Sequence, residues 1–332
     1  MKRTIGLAIA ATLLALPLTA GAQDKKFTFA LVPKAMNNPF FDLARDGCKK
    51  AEAELANVEC LYIGPGEHTE QEQIQIVQDL ITRRVDGIAV APSNAPAMAR
   101  IFQAAKAAGI PTITWDSDLL ERDKKMRMTY VGTKNYDIGV NLAKLAMQMK
   151  PGGGSICIQS GGAAAANHNE RMQGIRDTLS GQASTQPPGE RLEGANGWTE
   201  VDGCPLYTND DFPLSVQQMA DILAKYPKLD AFVPTGGFPQ FVAKAYRQVA
   251  DKHIDRIRSK DTLLVVADTL PMQMDILKDG LSHGQVGQRP YEMGYKAMFI
   301  LKDILEGKQV ADPIYTGLDV CDEANADSCL SG

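Results

Sequence analysis

Short apolar runs alternate with helical patterns along nearly the whole chain. The runs have the length of strands and are rich in β-branched residues, as in "FTFALV" at 27–32 and "TLLVVAD" at 262–268. Between the runs, apolar residues recur at the spacing that is typical of an amphipathic helix. Strands of this kind in alternation with helices indicate parallel sheets that are covered by helices on both faces.

The pattern predicts a series of elements up to residue 288. The predicted strands cover residues 27–32, 58–64, 86–92, 111–117, 128–132, 154–161, 197–203, 229–236, 262–268 and 283–288. The predicted helices cover about 39–55, 69–83, 95–108, 137–149, 169–179, 215–225, 240–251 and 272–279. Gly64-Pro65-Gly66 and Gly109-Ile110-Pro111 stand between units, where turns are expected.

The second half of the chain repeats the layout of the first. The stretches "VDGIAVAPSNAPAMARIFQAAKAAG" and "LDAFVPTGGFPQFVAKAYRQVADK" run in the same order, with Asp86 matching Asp230. Gly47 and Gly174 occupy matching places in the first helix of each half. A chain of 332 residues exceeds one typical hydrophobic core. We therefore expect an α/β protein of two similar doubly wound parallel-sheet domains that face each other.

The first 22 residues have the parts of a secretory signal peptide. Lys2 and Arg3 precede an apolar run at 5–18, and small residues end at Ala22, after which we expect cleavage. A membrane anchor is the alternative, but the run is shorter than the roughly 18 residues that a spanning helix needs. Loss of the two basic residues changes the formal charge from −5 to −7. A mildly acidic exported protein without a basic run is not expected to bind nucleic acid.

Export permits disulfides between the cysteines of the chain. Cys48 and Cys60 bracket one predicted helix and its exit, and we predict a disulfide between them. Cys321 and Cys329 would close a short loop near the end of the chain, and Cys204 is an alternative partner for either. Structural disulfides are therefore the expected role of most cysteines.

Polar and aromatic side chains follow the carboxyl ends of the predicted strands. In a parallel α/β sheet, this edge is where ligands bind. The motif "NNPFF" follows the first strand and contributes Asn38, Phe40 and Phe41. The other residues that follow strands are Ser93, Asn94, Asp116, Ser117, Asp118, Thr133, Asn135, Asn167, His168, Asn169, Arg171, Asp268, Gln288 and Arg289.

These side chains suit a neutral ligand with many hydroxyl groups. Each sugar hydroxyl donates one hydrogen bond and accepts others, while carboxylates accept, arginine donates and amides do both. Charge-assisted bonds of this kind contribute roughly 1.5–3 kcal/mol each. Aromatic rings such as Phe40 and Phe41 cover the apolar C–H faces of a sugar, although we expect at least one of the two in the core. Trp115 is a further candidate ring for which core burial is an equal alternative.

The sequence shows no complete catalytic or metal motif. It has no G-x-S-x-G elbow, no metal spacing among its histidines and no C-x-x-C pair. Cys157 lies in the apolar run "SICIQ", which predicts a buried thiol. Asp116 and Asp268 could pair as glycosidase carboxylates, so an exported glycoside hydrolase is the alternative class. We expect a binding protein that is not an enzyme and uses no cofactor or metal.

Four stretches carry a family likeness over nearly the whole mature chain. They are "NNPFFDLARDG", "GIPTITWDSD", "NERMQGI" and "VGQRPYEMGYKA". Together they resemble the ribose-type periplasmic sugar-binding proteins of ABC importers, which have the type I periplasmic binding protein fold. The resemblance implies a periplasmic monomer that binds a small sugar or polyol.

The resemblance also implies a mechanism. The chain would cross between its domains three times, near Thr133, Gln288 and Gly317, and the three strands would act as a hinge. The closed form would dock on the membrane permease of an ABC transporter, or report to a chemoreceptor or sensor kinase. The implied domains are 23–132 with 289–317, and 133–288 with 318–332.

Departures from the family pattern affect the expected ligand. Ser117 stands where ribose binders commonly have Arg, and Ala91 where they have Asn. Gly236-Gly237 replaces a polar pair, and the following Phe238 is expected to fill the vacated volume. These changes argue against D-ribose itself. The predicted ligand residues are Asn38, Phe40, Phe41, Asp116, Thr133, Asn135, Arg171, Phe238, Asp268 and Gln288.

The segment at 207–215, "YTNDDFPLS", has two interpretations. It reaches the cleft through Asn209, Asp210 or Asp211, or it forms a solvated acidic loop. The sequence favours neither.

Overall fold

The computed structural model describes residues 26–329, and the signal peptide predicted at 1–22 lies outside them. Strands and helices alternate through the described part of the chain. The strands are β1 (Phe27–Val32), β2 (Val58–Tyr62), β3 (Gly87–Val90), β4 (Thr112–Trp115), β5 (Tyr130–Gly132), β6 (Gly154–Ser160), β7 (Trp198–Glu200), β8 (Leu206–Tyr207), β9 (Ala231–Pro234), β10 (Leu263–Ala267), β11 (Gly284–Gly287), β12 (Ile314–Tyr315) and β13 (Asp319–Cys321). The helices are α1 (Pro39–Glu54), α2 (Glu70–Thr82), α3 (Ala95–Ala107), α4 (Asn135–Met149), α5 (Ala166–Ser180), α6 (Phe212–Lys225), α7 (Phe238–Phe241), α8 (Ala243–Asp251), α9 (Ile254–Arg258), α10 (Pro271–Lys278) and α11 (Pro290–Leu305).

The strands form two sheets, and each sheet is the centre of one domain. The first sheet has the order β12-β5-β4-β3-β1-β2, and all its pairs are parallel. The second has the order β13-β11-β10-β9-β6-β7, with β8 beside β6, and β13 is its antiparallel edge. This architecture confirms the predicted fold class. We call the two units the first and the second domain.

The chain passes from one sheet to the other at three places. It crosses between β5 and α4, between β11 and α11, and between β12 and β13. Helix α4 packs on α5, β10 and β11 of the second domain, whereas α11 returns to α1 and the first sheet. The sequence pattern did not include α11 or the two short strands that follow it. Strands of two or three residues are too short to show a hydrophobic period.

Apolar side chains cover both faces of each sheet. In β1, Phe29 and Leu31 face the cluster that contains α1 and α11, while Ala30 and Val32 face α2 and α3. In β6, Ile156 and Ile158 face α4 and α5. This alternation follows from the two-residue period of a strand. It leaves the ends of the strands as the places where polar side chains can gather.

Glycines allow the same close helix crossing in both domains. A Cβ at Gly47 of α1 would overlap the Tyr291 carbonyl of α11, and a Cβ at Gly174 of α5 would overlap the Tyr136 carbonyl of α4. The backbones therefore touch where any other residue would force the helices apart. These helices carry site residues, so the crossings fix the position of the cleft walls.

Asp86 and Asp230 confirm the internal repeat. Asp86 Oδ2 accepts a hydrogen bond from the Thr28 amide at 3.0 Å, and Asp230 Oδ2 accepts one from the Ser155 amide at 2.8 Å. Each carboxylate thus holds the start of the first strand of its domain. None of the helices between residues 26 and 329 has both the length and the apolar character that a membrane crossing requires.

The predicted disulfide between Cys48 and Cys60 is present, and two further disulfides involve cysteines whose pairing the sequence left open or predicted wrongly. Cys48–Cys60 and Cys321–Cys329 are bonded. The prediction of a free buried thiol at Cys157 is wrong, because it is bonded to Cys204 with a Cα–Cα distance of 5.4 Å. Cys157 points away from α4 and α5, into the apolar cluster that also contains Cys204. A buried cystine has the same apolar neighbours as a buried thiol, so the run "SICIQ" does not distinguish them.

Candidate functional site

The carboxyl ends of the two sheets face each other across a cleft. Residues that follow strands in both domains enclose one cavity there. Its lining residues are Lys34, Asn38, Phe40, Phe41, Asp116, Asn167, His168, Arg171, Asp210, Gly236, Phe238, Phe241, Asp268 and Gln288. Of the predicted ligand residues, all but Thr133 and Asn135 are in this set.

The start of α1 brings rings and an amide to the cleft. Asn38 is the N-cap, and its Oδ1 accepts a hydrogen bond from the Phe40 amide at 3.0 Å, so its Nδ2 group stays available to a ligand. Pro39 occupies the first turn, as expected. Phe40 and Phe41 meet edge to face at 5.3 Å, and Phe41 packs on Trp115 at 5.4 Å. Both phenylalanine rings line the cavity and belong to the core, whereas Trp115 belongs to the core and does not line the cavity.

Asp116 and Asp268 occupy equivalent positions in the two domains. Each directly follows the fourth strand from the same edge of its sheet, β4 or β10. Each also has a left-handed backbone, with φ of 57° at Asp116 and 74° at Asp268. Residues other than glycine rarely adopt this backbone conformation, and Asp is among those that tolerate it best. Such outliers often lie at functional sites, and here both carboxylates line the cleft.

Lys34 lies in the wall of the cleft that the first domain forms, although the sequence pattern did not identify it. It is 1% exposed. Its Nζ donates to Asn167 Oδ1 of the second domain at 2.8 Å and lies 3.7 Å from Asp116 Oδ2. Lysine is almost never this buried unless it is paired. Its position between β1 and "NNPFF" is the sign from which the sequence could have placed it at the edge of the sheet.

Arg171 of α5 is fixed by three hydrogen bonds. Its Nε donates to Asn135 Oδ1 at 2.8 Å, its Nη1 to the Thr235 carbonyl at 2.8 Å and its Nη2 to Gln288 Oε1 at 2.9 Å. Nη2 also lies 3.6 Å from Asp116 Oδ1 across the cleft. The guanidinium group is therefore held in place by the second domain and faces the first.

Asp268 and Gln288 extend this network. Asp268 Oδ1 accepts from Gln288 Nε2 at 2.7 Å, and its Oδ2 accepts from the Gly237 amide at 2.9 Å. Burial raises the pKa of the Asp268 carboxyl, and the charge of Arg171 opposes that rise. Each carboxylate oxygen has a second lone pair that a ligand hydroxyl can use.

Thr133 and Asn135 stand behind the cavity. The Asn135 amide donates to the Asp116 carbonyl at 3.1 Å, and its Oδ1 accepts from Arg171. The Thr133 hydroxyl lies 3.3 Å from that of Thr316, where the chain crosses between domains. Asn135 therefore orients two residues that line the cavity, and Thr133 ties two hinge strands together.

The segment at 207–215 reaches the cleft through Asp210. Asp210 lines both the cleft cavity and a neighbouring cavity of about 150 Å³ at the mouth of the cleft. Asn209 and Asp211 line only the mouth cavity. Asp211 also caps α6, where its Oδ1 accepts from the Leu214 amide at 2.8 Å.

The cleft cavity has a volume of about 20 Å³. That space holds about one water molecule, so a sugar enters only if the domains move apart. Contacts such as Lys34 to Asn167 and Asp116 to Arg171 join the two walls directly. The structure is thus a closed arrangement of the domains.

A larger cavity, of about 630 Å³, lies on the second domain alone. It is lined by residues of α4, α9 and α10 together with His283 and Glu323. Both ring nitrogens of His283 are already bonded, Nδ1 to the Leu264 amide and Nε2 to the Ile257 carbonyl. The smaller cleft cavity, with charged groups that converge from two domains, is therefore the better candidate site.

Comparison with known proteins agrees with this geometry. A family model described as a periplasmic binding protein domain matches residues 29–309. A ribose import binding protein from Salmonella typhimurium is 24% identical over 316 residues, which cover 93% of this chain and 95% of the relative.

Two solved structures show the same fold at higher identity. A solute binding protein of an ABC transporter from Burkholderia graminis, solved in complex with D-arabinose, is 28% identical, with a TM-score of 0.78 over 93% of this chain and 99% of that one. A glucose-galactose binding protein from Geobacillus stearothermophilus is 26% identical, with a TM-score of 0.75 over 91% of this chain and 99% of that one. The chain belongs to the periplasmic binding protein domain family.

Proposed function

We propose that this protein captures a small neutral sugar or polyol between its two domains in the periplasm and delivers it to the permease of an ABC importer. The observation that carries the proposal is the convergence of buried hydrogen-bonding groups from both domains on one cavity. Asp116 comes from the first domain, and Arg171, Asp268 and Gln288 come from the second. Phenylalanine rings complete the lining.

The lining has the composition that recognition of a sugar requires. Carboxylates and the guanidinium group supply acceptors and donors for hydroxyls, and the rings of Phe40, Phe41 and Phe238 offer apolar faces. Residues 26–329 contain no group of three or more His, Cys, Asp or Glu side chains that is placed to hold a metal ion. The sugars named for the structural relatives are of the same chemical class.

Hinge bending between the domains would admit and then enclose the ligand. In this proposal, residues 23–132 with 289–317 move as one body, and 133–288 with 318–332 as the other. The hinge would bend at the three crossings between the domains. The Thr133 and Thr316 hydroxyls, 3.3 Å apart, lie where the first and the third crossing are adjacent. A ligand that bonds both walls stabilises the closed form, which the permease would then recognise.

A thermal melt of the mature protein against pentoses, hexoses and sugar alcohols tests the proposal. A ligand at 100 times its Kd adds roughly 2.7 kcal/mol to stability, or about 2–4 °C in melting midpoint for each kcal/mol in a chain of this size. We expect a clear shift with one sugar or a closely related group. A panel with no shift, for folded protein free of carried-over ligand, would refute sugar binding.

Arg171 is the residue whose loss should weaken binding most. Arg171→Ala removes a buried charged donor and leaves acceptors on Asn135, Gln288 and the ligand unpaired. We expect a loss of about 2–4 kcal/mol in binding, measured by isothermal titration calorimetry. Arg45→Ala on the outer face of α1 is the control and should bind like the wild type. An unchanged Kd for Arg171→Ala would contradict the site.

A further inference from the structure

Asp210 has a buried carboxylate oxygen with no hydrogen-bond partner among the described residues. The residue is 7% exposed, and its Oδ1 is the unpaired atom. Buried polar atoms in folded proteins are nearly always bonded, so an exception calls for an explanation. Asp210 lines the cleft cavity, and a molecule bound there could supply the missing donor.

The backbone around Asp210 is built to hold this side chain in the cleft. The Asp210 amide donates to Thr208 Oγ1 at 3.0 Å. Thr208 in turn bonds the carbonyl of Ser160, at the end of β6, through its amide at 2.9 Å and its hydroxyl at 3.1 Å. Asn209 and Asp210 have φ of 50° and 58°, so the chain turns sharply here. The segment is anchored to the central part of the second sheet and presents Asp210 from there.

His168 is the neighbour of the unpaired oxygen. Its Nε2 lies 3.8 Å from Asp210 Oδ1, which is too far for a hydrogen bond, and its Nδ1 lies 3.0 Å from Thr235 Oγ1. The Phe238 ring packs against the imidazole at 5.3 Å. Burial, with the charges of Lys34 and Arg171, holds the pKa of His168 well below its usual range. The imidazole is therefore neutral at pH 7 and does not balance the charge of Asp210.

We propose that Asp210 and His168 together bind one hydroxyl of the ligand and so select a neutral sugar or polyol against its carboxylate derivatives. Asp210 Oδ1 accepts the hydroxyl hydrogen, and His168 Nε2 bonds the hydroxyl oxygen. This inference rests on the proposed function, because it assigns a role within the same cleft. Gly161 leaves room for the pair, since a Cβ there would overlap the Asp210 carboxylate and the His168 ring.

The charges of the cleft explain the selection. Lys34 and Arg171 both lie within 4 Å of Asp116, at 3.7 and 3.6 Å, so Asp116 has two cationic neighbours. Among the described residues, the neutral His168 is the only basic side chain within that distance of Asp210. A ligand carboxylate beside Asp210 would meet an unbalanced buried negative charge, which is strongly unfavourable. A hydroxyl or an ammonium group in the same place would be bound.

Asp210→Asn and Asp211→Asn form a matched pair of variants. The first replaces one oxygen of the unpaired carboxylate with an amide nitrogen of similar size. The second makes the same change one residue further on, where asparagine caps α6 as well as aspartate does. Titration calorimetry with the sugar that binds best in the melting panel should show about a tenfold to hundredfold weaker Kd for Asp210→Asn. Asp211→Asn should stay within about twofold of the wild type.

Deoxy analogues of that sugar identify the hydroxyl. One monodeoxy analogue should bind the wild type weakly and lose little more in Asp210→Asn, because the variant and the analogue remove the same bond. The analogue with an amino group at that carbon should bind the wild type, and the uronate or aldonate form should not.

The outcomes separate this inference from the proposed function. If Asp210→Asn binds the sugar within about twofold of the wild type while Arg171→Ala does not bind, the hydroxyl pair is refuted and the sugar site stands. If Asp210→Asn weakens every deoxy analogue by the same factor, the effect is general and the pair is again refuted. If the wild type binds no sugar, both the proposed function and this inference fail.

Discussion

The two walls of the cleft share an aspartate at equivalent positions, but the side chains around it differ. The first domain supplies the two rings at the start of α1, with Lys34 and Asp116 beside them. The second supplies a hydrogen-bonded network in which Arg171, Gln288 and Asp268 hold one another at 2.7–2.9 Å. The first wall is thus mainly an apolar platform with one charged pair, and the second is a preorganised polar surface.

This difference shows that the repeated features of the two domains determine where the site residues lie, whereas the residues that are not repeated determine which ligand is bound. Duplicated features such as the glycine helix crossings, the strand clamps at Asp86 and Asp230, and the left-handed aspartates occur in both domains. They set where site residues stand. The residues that differ between the walls lie in the first turns of α1 and α5 and on the segments that follow strands, and they decide which ligand is bound.

Removal of each domain's buried disulfide should give the largest stability effects. Cys157 and Cys204 are 47 residues apart, and Cys48 and Cys60 are 12 apart. In the chain-entropy view, the longer loop stabilises by about 4 kcal/mol and the shorter by about 3 kcal/mol. Both pairs are buried, so replacement by alanine leaves similar cavities. The variant with alanine at Cys157 and Cys204 should have a lower melting midpoint than the variant with alanine at Cys48 and Cys60. The reverse order of the two midpoints would contradict this prediction.

Alanine at the helix crossings should destabilise both domains alike. Gly47→Ala and Gly174→Ala each place a methyl group against a carbonyl of the partner helix. Overpacking of this kind costs about 1–3 kcal/mol, which exceeds the gain of up to about 1 kcal/mol in helix propensity. Gly152→Ala is the control, because no atom lies within 4 Å of its added Cβ. If melting shows Gly47→Ala and Gly174→Ala to be as stable as Gly152→Ala, the crossings are not close-packed.

The Kd for the ligand should depend on pH through the titration of Glu170, a residue that lies where the two domains meet. Burial raises the pKa of Glu170 to about 7 from its ordinary 4.5, Lys124 of the first domain opposes the rise, and Asp118 adds to it. A carboxyl whose pKa is raised on closure favours the closed form at low pH and loses that contribution as pH rises through 7. The lowered pKa of His168 acts in the opposite direction below its ordinary value of 6.5.

Comparison with Glu170→Gln isolates this contribution. The Kd of Glu170→Gln divided by that of the wild type should rise by up to about tenfold between pH 8 and pH 6. Because His168 is present in both proteins, its effect cancels in the ratio. A ratio that is constant with pH would show that Glu170 does not titrate on closure.

The fold, and the position of several residues of the candidate site, could be predicted from the sequence for physical reasons. The hydrophobic period indicates strands and helices directly, and the edge rule for parallel sheets predicts that Asp116 and Asp268 lie at the cleft. Their equivalence is seen in the fold, where each follows the fourth strand from the same edge of its sheet. The motif "NNPFF" also predicts the start of a helix at about residue 39, and the structure shows Asn38 as its N-cap.

Other site features depend on contacts that no local pattern encodes. Lys34 is buried only because Asn167 and Asp116 from elsewhere in the chain bond it. The choice between Asp210 and its neighbours depends on how the chain turns at Asn209. The apolar run around Cys157 predicts a thiol, and only the fold brings it to Cys204, which lies 47 residues away in the chain.

The most direct test of the central claim is to measure sugar binding after equivalent changes in the two walls. Isothermal titration calorimetry of Asp116→Asn and Asp268→Asn, with the sugar found in the melting panel, compares one carboxylate from each domain. If the ligand is held between the domains, one sugar should bind per wild-type chain and both variants should bind at least about tenfold more weakly. Wild-type affinity in either variant, with the other impaired, would show that a single domain holds the ligand and would contradict the account.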